Sequence, residues 1–208
     1  MPARIDVTGI VLAGGRSTRM GTDKASMALD GVPLLQRTVM VLSEVAAEIV
    51  VVRSHQQVLP AVESARPIAV VEDAIEGEGP LIGIAAGLRR ASHDLALVVA
   101  CDMPFLQPSL LRLLVERLAA GRRFVVPMYG GRPQPLCSAF RRDALPVLEA
   151  QIAAGVRRIM AVSDALEADR VTPEQWSAVD VNGRSFENVN TPEEFEAARD
   201  SIASLADE

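Results

Sequence analysis

Three cations, Arg16, Arg19 and Lys24, stand in a glycine-bearing segment that runs Leu12-Ala13-Gly14-Gly15-Arg16-Ser17-Thr18-Arg19-Met20-Gly21-Thr22-Asp23-Lys24. Paired glycines let backbone N–H groups approach a polyphosphate closely, and nearby cations can neutralise charge developing on a departing pyrophosphate. The pattern matches neither GxGxxG nor GxxxxGK[ST], which argues against a dinucleotide oxidoreductase and a P-loop ATPase. A solvated surface loop with incidental cations is the plain alternative. A second chemical feature is Asp102, in Val98-Val99-Ala100-Cys101-Asp102-Met103-Pro104. A carboxylate just beyond a buried strand can hold Mg2+ against nucleotide phosphates; the alternative is a turn-former ahead of Pro104. Cys101 and Cys137 have no CxxC spacing, and His55 and His93 are the two histidines, so a zinc site or disulfide framework lacks its ligands. Both cysteines are expected to be small buried hydrophobes.

The elements that must position these residues alternate in type. Strands are expected at Thr8–Leu12, Glu48–Arg53, Ile68–Glu72, Leu95–Ala100 and Phe124–Pro127, with a further strand at Leu136–Phe140 after the Gly/Pro-rich residues 130–135. Helices opened by proline are expected at Pro33–Ala47, Pro80–Ala91 and Pro108–Ala120. Further helices are expected around Asp143–Ala154, Val156–Leu166 and Pro192–Leu205. Stacked βα units predict an α/β fold, a mostly parallel sheet with helices on both faces. We expect residues 1–208 to form one domain, nucleotide-binding in its N-terminal half and acceptor-binding in its C-terminal half. Ligands of such sheets sit at the carboxyl ends of the strands, which is where the cationic loop and Asp102 fall.

Composition excludes several classes. The chain has 208 residues, 49% hydrophobic and 23% charged, enough for a sizeable core. With 3% aromatic residues and a formal charge of -6, it lacks the stacking platforms and the field of a nucleic-acid surface. No apolar run approaches the ~18 residues of a membrane span, and the N-terminus does not read as a signal peptide. A cytoplasmic location is the expectation.

Taken together, Leu-Ala-Gly-Gly-x-x-x-Arg-Met-Gly-x-Asp-Lys at residues 12–24, Gly79-Pro80-Leu81-Ile82-Gly83, Cys101-Asp102-Met103-Pro104, Gln134-Pro135-Leu136 and Asn188-Val189-Asn190-Thr191-Pro192-Glu193-Glu194 resemble the bacterial molybdenum cofactor guanylyltransferases. The motifs run in family order over almost the whole chain. The resemblance implies a Rossmann-like nucleotide-diphospho-sugar transferase fold and a reaction in which GMP passes from GTP to the terminal phosphate of molybdopterin, with pyrophosphate released and Mg2+ as cofactor. It implies that Leu12, Ala13, Gly14 and Gly15 line the nucleotide pocket, that Lys24 and Arg19 act on phosphates, that Asp102 binds Mg2+ and that Asp73 contacts nucleotide. The Gly79, Pro80, Leu81 and Gly83 turn can present backbone groups to guanine without intervening side chains. Family members often carry asparagine where this chain has Arg53.

For the pterin and its phosphate, the candidates are Gln134, Arg157, Arg158, Asn188 and Asn190. The two arginines also read as an ordinary solvated helix face. Thr191 and Glu194 spell a capping box, which explains them without a ligand and leaves the two asparagines to face the cleft. Acceptor molybdoenzymes or cofactor-delivery proteins are the implied partners. A molybdopterin cytidylyltransferase, a sugar-1-phosphate nucleotidyltransferase and a non-catalytic nucleotide or cofactor carrier stand as alternatives. Arg19-Met20-Gly21 departs from the sugar-nucleotide pattern, and cytidylyltransferases generally lack the Gly-Pro-Leu-x-Gly turn. Keeping both Lys24 and Asp102 disfavours a carrier.

Overall fold

A computed structural model describes residues 6–14, 23–73 and 79–206. Gly15, Arg16 and Arg19 therefore lie outside the described residues. The first strand, β1 (Val7–Leu12), is buried along its whole length. Val7 and Val11 point into one core cluster, and Ile10 and Leu12 into another, so the strand is apolar on both faces, as a central parallel strand must be. Then come a hairpin of β2 (Ala28–Leu29) and β3 (Val32–Pro33), helix α1 (Leu34–Ser43), β4 (Glu48–Arg53), β5 (Ile68–Glu72), α2 (Pro80–Arg90), β6 (Leu95–Ala100) and α3 (Pro108–Ala119). The second half holds β7 (Phe124–Tyr129), β8 (Arg132–Pro133), β9 (Cys137–Arg141), α4 (Leu145–Ala153), β10 (Asp169–Val171), α5 (Pro173–Trp176) and α6 (Pro192–Ala206).

The main sheet runs β10-β7-β9-β6-β1-β4-β5, with β8 paired to β7. Neighbours are parallel except where β9 meets β6 and β7, and where β8 folds back on β7. The expected mostly parallel sheet is borne out, with β9 as an antiparallel insertion. Helices α1 and α3 cover one face through Leu35, Val39, Leu42, Leu110, Leu114 and Leu118. Helices α2 and α4 cover the other through Leu81, Ile84, Leu88 and Leu148. Gly87 lets α2 lie directly on β1: a Cβ there would come 2.5 Å from Ile10 Cγ2. Each fully buried large aliphatic side chain contributes roughly 1.5–3 kcal/mol, against about 1 kcal/mol for a typical hydrogen bond. Apolar packing thus fixes the strand ends, and the polar site is mounted on them.

The chain moves outward from β1 to β4 and β5, then crosses back to pair β6 with the other side of β1. That reversal leaves a crevice beyond the carboxyl ends of β1 and β6, the usual ligand position in open α/β sheets.

Two expectations differ from the structure. Instead of a helix over Val156–Leu166 there is a single 3-10 turn, Ile159–Val162. Ile159, Val162 and Leu166 are buried with a helix-like spacing, but they belong to a folded connection that packs under α2 and α4. The expected helix Pro33–Ala47 begins one residue later and ends at Ser43, because Pro33 is taken by the hairpin. Asp30 and Gly31, with φ of 50° and 70°, make the hairpin turn. A third apolar cluster, Leu29, Leu34, Phe105, Val189 and Ala198, seats α6 and the segment before it on this hairpin.

Candidate active site

Lys24 opens the 3-10 turn Lys24–Ser26, which Asp23 caps: its Oδ1 accepts from the Ala25 amide at 3.0 Å. The turn points the Lys24 ammonium across the crevice, where Nζ donates to Asp102 Oδ2 at 2.8 Å and to Asn190 Oδ1 at 2.7 Å. Three segments separated by up to 166 positions thus meet at one nitrogen. With side chains only 18% and 15% exposed, the Lys24–Asp102 pair is largely withdrawn from water. Screening by solvent is correspondingly weak.

Asp102 is held by its backbone as well. The Cys101 amide donates to Leu12 O at 3.2 Å, and Asp102 O accepts from the Val189 amide at 2.9 Å. Val189 is buried in the third cluster, so its packing delivers the flanking Asn188 and Asn190 to the carboxyl end of β6. The capping box reads as expected: Glu194 N donates to Thr191 Oγ1 at 3.2 Å, while Glu194 Oε2 accepts from the Thr191 and Asn190 amides at 3.1 and 2.6 Å. It also orients Asn190. Upstream, buried Asp180 accepts from Ser185 N at 3.1 Å, and Ser185 Oγ accepts from Gln107 N at 2.9 Å. These two polar ties anchor the approach to Asn188 and were not picked out from the sequence.

Among the described residues, Asp102 Oδ1 and Asn188 Oδ1 are buried with no hydrogen-bond partner. An orphaned buried carboxylate oxygen is costly unless something binds it. Hard oxygens of this type fit Mg2+, which takes one or two protein carboxylates and draws its other ligands from phosphates and water. No group of three or more His, Cys, Asp or Glu that could hold a metal occurs among the described residues.

On the other side of β1, Gly14 makes a close approach possible: a Cβ would lie 2.7 Å from Ser54 Oγ and 2.8 Å from Ser54 N. The Ala13 and Gly14 amides both donate to Val52 O, which binds the end of β1 to that of β4. Asp73 follows β5, tied by its amide to Arg53 O at 2.7 Å. A Cβ on Gly83 would sit 3.6 Å from Asp73 Oδ2 and 3.3 Å from Leu12 Cδ2, so Leu12, Asp73 and Gly83 converge on one spot. Gly79, with φ of 97°, starts α2, and Pro80 occupies its first turn. Leu81 is fully buried, packed in the core beneath α2.

Arg53 does not point freely at this pocket. Nη2 donates to Glu72 Oε1 at 2.6 Å and Nη1 to Gln57 O at 2.7 Å. His55 and Arg53 together hold the Glu72 carboxyl below its ordinary range, His55 contributing most. Gln134 lies past the carboxyl end of β6, since the Ala100 amide bonds Leu136 O; its own Nε2 points back to Tyr129 O and Arg132 O at 3.5 and 3.4 Å. Arg157 is brought against the α2 entry, its carbonyl 3.1 Å from where a Gly79 Cβ would be, and its Nη1 donates to Ile152 O and Val156 O. It stands beside the Gly79 turn, and Arg158 is exposed. Both cysteines are buried. Burial, reinforced by Asp102, pushes the Cys101 thiol far up, and burial with a contribution from Asp180 takes Cys137 to about 12. Neither is a thiolate at neutral pH.

Residues 9–171 match the MobA-like NTP transferase domain. The chain is 36% identical over 200 residues to a probable molybdenum cofactor guanylyltransferase of Chloroflexus aggregans, covering 94% of each. It is 34% identical over 197 residues to a molybdenum cofactor guanylyltransferase of Desulfosudis oleivorans, covering 94% of this chain and 96% of that one. The crystal structure of a molybdopterin-guanine dinucleotide biosynthesis protein A from Archaeoglobus fulgidus superposes with a TM-score of 0.79 at 26% identity, covering 95% of this chain and 99% of that one. With the strand order, the crevice and a match of this extent in agreement, the chain belongs to the MobA-like NTP transferase family.

Proposed function

We propose that the protein transfers GMP from GTP to the terminal phosphate of molybdopterin, forming the guanine dinucleotide cofactor and pyrophosphate. The observation that carries this reading is the Lys24 ammonium bridging Asp102 and Asn190 beside an orphaned carboxylate oxygen, at the crevice where β1 and β6 end. The names of the relatives support the identity of both substrates. A phosphate oxygen of molybdopterin attacks the α-phosphorus of GTP, one P–O bond forms, and the bond to the bridging oxygen breaks with its electron pair leaving on pyrophosphate.

This chain's residues serve that displacement mainly by position and charge. Leu12, Ala13 and Gly14, with Gly15 and Arg19 of the same sequence motif, receive the nucleotide. Asp73 and the Gly79–Gly83 turn meet its ribose and base. Lys24 sets a fixed positive charge against the phosphates. Asn188 and Asn190, with Gln134, Arg157 and Arg158, hold the acceptor. The N-terminal half so binds nucleotide and the C-terminal half binds pterin, within one domain. Asp102 and Asn188 would hold Mg2+, which when bound supplies charge neutralisation between two anions that must come within bonding distance. The cytoplasm, where GTP is available, is the compartment that suits this reaction, and acceptor molybdoenzymes or delivery proteins are the partners that would consume the product.

The test is to incubate the protein with Mg2+, molybdopterin and each of the four nucleoside triphosphates, and to identify the dinucleotide formed. GTP is expected to be used well above CTP or ATP. Equal turnover with CTP would move the assignment to a cytidylyltransferase, and binding without pyrophosphate release would make the protein a carrier.

A further inference from the structure

The turn after β4 contains a residue that the reaction as described leaves unused. Gln57 is half-buried and engages its side-chain amide at both ends. Nε2 donates to Ala13 O at 3.0 Å and to Asp23 Oδ2 at 2.8 Å, while Oε1 accepts from the Ser54 amide at 2.9 Å. Two acceptors at one end and one donor at the other fix which way the amide faces. The backbone of Gln57 is engaged as well, its amide donating to Ser54 O at 3.2 Å and its carbonyl accepting from Arg53 at 2.7 Å. To complete the turn Gln56 takes a φ of 58°, a left-handed conformation that costs a non-glycine residue about 1 kcal/mol or more.

Those contacts reach residues on either side of the cationic motif in the sequence. Ala13 precedes residues 15–22 and Asp23 follows them, so a single amide group sets the spacing between the end of β1 and the start of the turn that carries Lys24. Asp23 is the intermediary. One of its oxygens caps Ala25, in the turn that aims the Lys24 ammonium, and the other is held by Gln57. Ala25 is fully buried, which stops the turn from rolling to compensate for a lost cap.

We infer that Gln57 is a positioning residue for the transfer reaction, acting through the Asp23 carboxylate to hold Lys24 in register with Asp102 and Asn190. This rests on the guanylyl-transfer reading for its kinetic consequence only. Gln57 contacts Ala13, Asp23 and Ser54 rather than the reacting groups, and its effect is on where a charge stands.

The sharp variant is Gln57→Glu, which keeps the shape, loses both N–H donors and sets a carboxylate against Asp23 and Ala13 O. It is measured beside the double variant Gln57→Glu with Asp23→Asn. In the double variant the new amide at position 23 can donate to the new carboxylate while its oxygen still caps Ala25. Two readouts are taken on the full-length protein: steady-state kinetics with GTP, Mg2+ and molybdopterin, and hydrogen exchange of the Ala25 amide without substrate. For Gln57→Glu the expectation is a kcat lower by roughly 10- to 100-fold with KM for GTP changed by less than about threefold. Exchange at Ala25 is expected to be faster by at least about tenfold, and the double variant to recover most of both changes. A kcat within about twofold of the parent protein, or a loss of activity and protection that the double variant does not restore, would overturn the inference. If the parent protein itself gives no dinucleotide, the guanylyl reading fails. Ala25 exchange then decides alone: protection unchanged in Gln57→Glu rules Gln57 out as the support of the Lys24 turn, and loss with recovery keeps it.

Discussion

The two ends of the central strand pair carry polar clusters of similar make-up and opposite completeness. At the amino end, Glu48 Oε1 accepts from Thr8 Oγ1 at 2.7 Å and from the Ser92 amide at 2.6 Å, and Oε2 accepts from Ser92 Oγ at 2.9 Å. Burial works against that carboxylate, but the bonds from Thr8 and Ser92 outweigh it and hold its pKa below the ordinary value. At the carboxyl end, some six residues or roughly 20 Å away along the strand, Asp102 has one oxygen bound to Lys24 and the other bare. A satisfied cluster joins strands together. An incomplete one, built on strands just as rigid, leaves a carboxylate oxygen open to a ligand, and that contrast is what sets the proposed role of Asp102 apart from that of Glu48.

The comparison breaks most visibly at Asp102. Asp102→Asn keeps the side-chain shape but removes the charge, so Mg2+-dependent pyrophosphate release is expected to fall on the order of 1,000-fold while circular dichroism and GTP binding persist. Full activity of that variant at limiting Mg2+ would reduce Asp102 to a turn-former. Lys24→Ala comes next, with kcat lower by about 100-fold or more and a smaller effect on GTP affinity, measured by steady-state kinetics and direct titration. Near-normal turnover would remove the loop from the chemistry. Glu48→Gln should do the reverse: kcat unchanged and Tm lowered by about 2–4 °C. Because the folded-state pKa of Glu48 is depressed, its stabilisation is full above the ordinary carboxylate pKa and disappears as pH falls through the lower folded value. The Tm gap between Glu48→Gln and the parent should therefore close in acid, and a gap that widened there would contradict the assignment.

The legible parts of this molecule are those whose cause is local. Glu48–Arg53, Ile68–Glu72 and Leu95–Ala100 are strands with the expected bounds, because short β-branched runs between turn residues have few other ways to fold. Pro80 and Pro108 open their helices for the same local reason. The 156–166 segment misleads because its apolar spacing reports burial, which a folded connection satisfies as well as a helix. In the site, Lys24, Asp102 and Asn190 are visible by their place after strands and by motif, and the structure brings them to one point. Gln57 and Asp180 are isolated polar residues in loops, and Ser185 sits in the kinked 3-10 segment Val181–Phe186. Gln57 and Ser185 matter through partners far along the chain, Ala13, Asp23 and Gln107, which no spacing rule encodes, and Asp180 matters through Ser185.

The chain's single tryptophan sits where α5 packs against β7. Trp176 is 4% exposed, donates to Met128 O at 3.0 Å and lies edge-on to Phe186 at 5.1 Å, with the Tyr129 ring beside both. Gly183 closes the cluster, since a Cβ there would fall 2.6 Å from Tyr129 and 2.9 Å from Trp176. The segment that leaves this cluster runs directly into Asn188 and Asn190. One indole in a dry, aromatic setting is an intrinsic optical probe: its emission reports the seating of those asparagines separately from the Lys24 turn, without a label and without turnover.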